Sequence, residues 1–201
     1  MSSEASTSHF AQRNGKAAHV GCVVWLTGLS AAGKSTIARL VAGRLEERGV
    51  LVDRLDGDIV REHLSRGLGF SKEDRDTNIE RIGWVASRLS RAGAVVVVSA
   101  ISPYEQARRK ARALTEQHAT FVEVYVATSL EECSRRDPKG LYAKAYAGEI
   151  AEFTGVSDPY EEPVHPELRL DTAGREPAES AASVLARLEE LEVIAVRDAV
   201  S

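Results

Sequence analysis

Gly28-Leu29-Ser30-Ala31-Ala32-Gly33-Lys34-Ser35, followed by Thr36, fits the pattern G-x-x-x-x-G-K-[ST]. Its chemistry is phosphate binding. Gly28 and Gly33 let the backbone wrap a phosphate, and successive amides with a helix N-terminus meet the negative charge. Lys34 then reaches the β and γ phosphates of a triphosphate, and Ser35 can ligate Mg²⁺. The motif gives nucleoside triphosphate binding without saying where the phosphate goes.

Carboxylates decide that. The valine-rich run Val95 to Val98 ends in Ser99 rather than the aspartate that holds Mg²⁺ in many ATPases and GTPases, and no N-K-x-D sequence reads guanine. A switch GTPase is disfavoured. Acidic residues stand instead at Asp56-Gly57-Asp58, closing a second apolar run. On the carboxyl edge of a parallel sheet they would lie beside the phosphate loop, where open α/β folds bind ligands. Asp58 can take a proton from a substrate hydroxyl or orient it, and Asp56 can act through Mg²⁺. The competing role for Asp58 is the N-cap of a helix from Ile59, and both roles can coexist.

Arg75, Asn78, Ile79 and Ile82 share one helical stripe of apolar anchors with a cation and an amide, suited to an anionic substrate. Spacing alone equally allows Arg75 a surface ion pair with Asp76 or Glu80, and Arg61 is open to the same alternatives. Ser102-Pro103-Tyr104-Glu105 reads as a helix start, with serine capping, proline first and glutamate completing the box. Arg135 to Lys144 holds Arg135, Arg136, Lys139 and Lys144 against Asp137, a basic segment in a chain with 26 basic and 30 acidic residues. Such a segment can close over phosphates and expel water, or serve only as a solvated loop.

The elements that must position these groups alternate. Strand signals at Cys22 to Thr27, Val50 to Leu55, Ala94 to Ser99, Phe121 to Ala127 and Leu168 to Leu170 are separated by helical periodicities, giving one α/β domain with a buried parallel sheet. Ser71 with Asp74, and Ser129 with Glu132, look like capping pairs. Asp137 to His165 breaks the rhythm with Gly140, Gly148, Gly155, Pro159 and Pro163, so 137–165 is expected to be a lid. Residues 1–18 lack either period and read as an arm, 19–196 as the domain and 197–201 as a tail. The formal charge of −4 speaks against nucleic acid or an anionic membrane as partner, and the longest apolar stretch, Ala92 to Ala100, is half a membrane span. Cys22 and Cys133 without a leader fit a reduced, cytoplasmic protein.

Several segments together resemble the adenylylsulfate kinase (APS kinase) family of P-loop kinases: GLSAAGKST from Gly28, LDGD from Leu55, LGFSKEDRDTNIERI from Leu68, VVVSAISPY from Val96, EVYVATSLEECSRRDPKGLYAKAYAGEI from Glu123, FTGVSDPYEEP from Phe153 and LDT from Leu170. The resemblance implies a three-layer, nucleoside monophosphate kinase-like P-loop fold. It also implies transfer of the ATP γ-phosphoryl group to the 3′-hydroxyl of adenosine 5′-phosphosulfate (APS), giving PAPS and ADP, with Mg²⁺. By the same resemblance Asp58, Arg61, Phe70, Arg75, Asn78, Ile101, Ser102, Lys139, Leu141 and Phe153 are acceptor-site positions. Arg136 would pack on the ATP base, and Lys34, Asp58 and Lys139 would carry catalysis. The resemblance also makes Ser102 a catalytic candidate as a serine that can be phosphorylated, Ser35, Asp56 and Asp58 are the expected metal positions, and members of the family are commonly homodimers. A separate ATP sulfurylase is expected upstream. The sequence departs from the family pattern at Ala31, Ile59, Ala100 and Trp84, of which Ile59 and Ala100 bear on the acceptor pocket. The alternatives are a kinase of another small hydroxylated anion, or a non-catalytic nucleotide-binding protein.

Overall fold

A computed structural model describes residues 21–195. The arm at 1–18 and the tail at 197–201 lie outside the described residues.

Five parallel strands form one sheet in the order β2-β3-β1-β4-β5: β1 (Cys22–Thr27), β2 (Val52–Asp56), β3 (Val95–Ser99), β4 (Thr120–Val126) and β5 (Leu168–Leu170). The strand period of two sorts their side chains into two cores. Cys22, Val24, Leu26, Val95 and Val97 face one side with residues of α1 (Lys34–Glu47) and α7 (Pro177–Glu190). Val23, Trp25, Val96 and Val98 face the other, against α3 (Lys72–Arg91) and α4 (Glu105–Thr115). Burial on both faces explains why β1 and β3 read as nearly continuous apolar runs. The short α2 (Gly57–His63), α5 (Leu130–Arg136) and α6 (Leu141–Tyr146) stand at the carboxyl edge or beyond it.

Local signals hold where neighbours in sequence supply the partner. Ser71 accepts the Asp74 amide at 3.2 Å and Ser129 accepts the Glu132 amide at 3.2 Å, as the capping pairs require. The reciprocal arms differ: Asp74 accepts Gly69 N–H, while Glu132 accepts Arg135 and Arg136.

Three expectations are corrected. The cap of α2 is Asp56, whose Oδ1 accepts the Asp58 amide at 3.1 Å, so Asp58 lies in the first turn with its carboxylate free of capping. The box at Ser102 to Glu105 does not form. Tyr104 holds the cap position without a side-chain bond, and the Ser102 hydroxyl turns inward to Thr27 and Trp25, a residue 77 positions away. The stretch 137–165 is not loop throughout: Leu141–Tyr146 forms α6 with Gly140 at its cap, and the Asp137 carboxylate accepts the Tyr142 and Ala143 amides at 3.1 Å.

Candidate active site

The phosphate loop joins β1 to α1. Gly28 has φ 144° and a Cβ there would meet Val126 O at 2.4 Å, so backbone and packing both demand glycine. Gly33, at φ 103°, is the cap of α1 with no side-chain bond, which leaves the first-turn amides of that helix for an anion. Ala31 also stands at positive φ, 59°. Leu29 and Ser30 supply carbonyls: Leu29 O accepts Lys34 Nζ at 2.6 Å, and Ser30 O accepts the Tyr142 hydroxyl at 3.1 Å. Ala32 O accepts the hydroxyls of Thr128 and Thr172 at 3.1 and 3.0 Å. Thr36 follows in the first turn of α1. The Lys34 ammonium is buried, and burial lowers its pKa to about 8 against the opposing pull of Cys133, Asp56 and Asp58.

Asp56 ends β2 beside Ser99 at the end of β3, and Ser99 Oγ donates to its Oδ2 at 2.8 Å. Burial pushes the Asp56 pKa up, but bonds from Ser35, Ser99 and the Asp58 amide outweigh it and hold the carboxylate below its usual range. Ser35 and Asp56 are thus joined across the sheet edge. A hydroxyl and two carboxylates, with no cluster of three His, Cys, Asp or Glu among the described residues, suit Mg²⁺ shared with substrate phosphates rather than an all-protein cage.

Asp58, exposed, receives the lid ammonium Lys139 in an ion pair. Leu141, half-buried, opens α6 just beyond it. Arg136 belongs to α5 rather than to the lid. It donates to Thr172 Oγ1 and O at 2.9 Å each and to Glu132 at 2.8 Å, on the far side of the phosphate loop from Asp58. Arg135 is exposed and only pairs with Glu132, so the basic segment splits into a helix end and a lid tip.

The positions expected at the acceptor lie on α2 and α3, on the segment after β3 and within 137–165. Arg61 donates to Gly69 O at 3.1 Å and lies over the Phe70 ring at 4.6 Å, and Phe70 is 62% exposed. Arg75 does not pair with Asp76 or Glu80, which instead take Lys72 and Lys110. It is buried and donates to Phe70 O, Asp158 Oδ2 at 3.0 Å, Thr154 Oγ1 and Glu152 O. Asn78 is buried one turn on, and its Oδ1 has no hydrogen-bond partner among the described residues. Phe153 meets Tyr142 edge-on at 5.0 Å. Ile101 offers its carbonyl to Thr27 Oγ1 at 2.7 Å and Gly28 N at 3.5 Å, tying the acceptor loop to the phosphate loop. Ile59 is 52% exposed and Trp84 58% exposed, whereas Ala100 is buried where a Cβ on Gly57 would touch it.

Sequence reasoning missed Thr27, Arg108, Thr154, Asp158, Tyr160 and Thr172. Each is a polar residue whose partner lies far along the chain, and only the dense FTGVSDPYEEP segment hinted at Thr154, Asp158 and Tyr160.

The chain is similar to known proteins over most of its length. The family model described as adenylylsulphate kinase matches residues 20–171. An adenylyl-sulfate kinase of Chloroflexus aurantiacus is 54% identical over 174 residues, covering 87% of this chain and 92% of that protein. The structure of the Mycobacterium tuberculosis APS kinase CysC in complex with AMPPNP and APS superposes with a TM-score of 0.82 at 46% identity, covering 85% of this chain and 99% of that one. A hexameric APS kinase from Thiobacillus denitrificans gives a TM-score of 0.69 at 38% identity, over 89% of this chain and 31% of that one. With the fold, the motif order and these likenesses in agreement, the chain belongs to the adenylylsulphate kinase family.

Proposed function

We propose that this chain transfers the γ-phosphoryl group of ATP to the 3′-hydroxyl of adenosine 5′-phosphosulfate, releasing ADP and PAPS. The observation that carries this reading is the ion pair between Asp58 and the lid Lys139 at the sheet edge that also bears the Lys34 cradle. A carboxylate and an exposed cation side by side at that edge support the reading that acceptor and phosphate meet there.

In this reading the loop amides and Lys34 hold the β and γ phosphates, and Arg136 packs on the ATP base. Phe70 and Phe153 stack on the acceptor adenine, while Arg61, Arg75 and Asn78 hold the phosphosulfate with Ile101 and Leu141 lining the site. Ser35, Asp56 and Asp58 would hold Mg²⁺, which when bound neutralises charge on the transferring phosphates. Asp58 releases Lys139, accepts the hydroxyl proton or orients it, and Lys139 neutralises charge on the phosphoryl oxygens. Catalysis is mostly positioning and electrostatics. Ser102 needs no covalent role: it is 1% exposed and its hydroxyl is bonded to Trp25 and Thr27.

The enzyme is further proposed to be a cytoplasmic homodimer supplied with APS by a separate sulfurylase. No helix among the described residues is long and apolar enough to cross a membrane. Light scattering tests the assembly, a dimer giving twice the 21.8 kDa chain mass.

ADP release from ATP and Mg²⁺ with APS, beside AMP, gluconate, shikimate or no acceptor, tests the reaction. APS-dependent release that Lys34→Ala abolishes is the expected result. Release with another acceptor instead would move the substrate, and none with any acceptor would overturn the kinase reading.

A further inference from the structure

Arg108, on α4, is 2% exposed, and of the positions expected at the acceptor site its guanidinium meets the Ser102 main chain. Its guanidinium is used in three directions. Nε donates to Glu123 Oε1 at 2.9 Å, Nη1 to Ser102 O at 2.7 Å, and Nη2 to Glu161 O at 2.7 Å. The first bond anchors it to β4 in the core. The other two grip main-chain carbonyls of two different segments, the acceptor loop after β3 and the descending limb of the lid.

Those two segments are stitched together at the same place. Glu161 N donates to Pro103 O at 2.8 Å, Glu105 N to Glu161 Oε2 at 2.7 Å, and Tyr104 Oη to Asp158 Oδ2 at 2.7 Å. The Tyr160 hydroxyl lies 2.9 Å from Thr27 Oγ1, which also donates to Ile101 O. Ser102 itself stands at φ 42°, a conformation costly for a residue with a Cβ, and so needs outside support. A planar fork can hold two carbonyls at a fixed spacing, whereas an ammonium on a flexible stem cannot.

We propose that Arg108 is a positioning residue: by bridging the Ser102 and Glu161 carbonyls it sets the register between the acceptor loop and the base of the lid. Through Ile101 and Thr27 that register reaches Gly28, the first residue of the phosphate loop. Lid, acceptor loop and phosphate loop therefore share one buried hub, and loosening it misplaces Lys139 and the acceptor relative to the γ-phosphate without removing any group that touches them. The kinetic part rests on the phosphoryl-transfer reading above, and the geometric part does not.

The test compares Arg108→Lys with Glu123→Gln in the full chain. Glu123→Gln keeps an acceptor oxygen for Nε and leaves the carbonyl fork intact, so it controls for weakening of the buried ion pair. Hydrogen exchange at the Glu105 and Glu161 amides should rise at least about tenfold in Arg108→Lys and stay within about twofold in Glu123→Gln. With APS as acceptor, kcat should fall about tenfold or more in Arg108→Lys, with the Kd for ATP within about threefold of wild type, and kcat should be unchanged in Glu123→Gln. Unaltered exchange in Arg108→Lys overturns the bridge. Raised exchange with unaltered kcat overturns its role in turnover. A parallel loss of kcat and Tm in both variants reduces Arg108 to a stability residue, again overturning the proposal. If wild type ignores APS while the exchange contrast holds, the substrate reading fails and the bridge stands.

Discussion

The Lys139 ammonium of the lid and the Asp58 carboxylate of α2 form an ion pair although 81 positions separate them and both side chains are largely exposed. An exposed pair of this kind contributes little stability, about 0–1 kcal/mol, so it is readily exchanged for contacts to substrate. The pair links residues 137–165 to the start of α2 at the carboxyl edge of the sheet.

Asp58→Asn removes the proton acceptor and keeps the volume. Its kcat should fall about 100-fold or more, the usual scale for a general base, with ATP affinity within several-fold. Steady-state ADP release and nucleotide titration measure the two, and unchanged turnover would exclude the role.

Lys34 gives a pH signature. With its pKa lowered to about 8 by burial, the free enzyme loses this proton as pH rises through that value, and bound phosphates restore it. ATP binding should therefore take up protons at about pH 8.5 and take up far fewer at about pH 7. Calorimetry in buffers of different ionisation enthalpy reads this, and Lys34→Arg should abolish the difference. For stability the sign is the reverse of a salt-bridged lysine. The unfolded chain, with an ordinary lysine pKa of 10.5, binds more protons than the folded one between about pH 8 and that value, so Lys34 makes stability rise with pH over this window.

Asp158→Ala should be costly. It leaves the buried Arg75 guanidinium and the Tyr104 hydroxyl without their carboxylate, and orphaning one partner of a buried pair costs about 3–5 kcal/mol. A domain of this size should lose at least about 6 °C in Tm. Asp158→Asn, which retains an acceptor oxygen, should lose less than half as much in the same thermal scan.

Ser102→Ala separates structure from chemistry. The Trp25 indole N–H, which donates to Ser102 Oγ at 3.0 Å, loses its acceptor at a cost of about 1–3 kcal/mol. Turnover should stay within about threefold, since direct transfer needs no phosphoserine. A loss of about 100-fold at retained Tm would restore a catalytic serine.

Gly83→Ala tests packing alone. A Cβ there would sit 2.7 Å from the Ala111 Cβ, where α3 crosses α4, and overpacking of this kind costs about 1–3 kcal/mol. Tm should drop while kcat per folded enzyme is unchanged.

The sequence by itself determined whatever depends on near neighbours or on period. The phosphate loop is a run of adjacent residues whose backbone does the binding. The strand cores follow from apolar residues on both faces, and the caps at Ser71 and Ser129 find their amides three residues on. Tertiary structure decided what the polar side chains do. Arg75, free by spacing to pair with Asp76 or Glu80, turns instead to Thr154 and Asp158, 79 and 83 positions away. Ser102 forgoes the cap that its local sequence offers, and its hydroxyl instead accepts the buried Trp25 indole N–H and donates to Thr27 on the neighbouring strand. Asp56 rather than Asp58 caps α2, because the helix starts at Gly57, directly after β2, two residues before the Ile59 that the Asp58 cap would require. Arg108, one of several arginines on a polar helix, becomes a hub only because strand order brings β4, the acceptor loop and the lid to one point. A buried polar group must find a partner wherever the fold supplies one, and that choice is made by the strand order rather than by the adjacent residues.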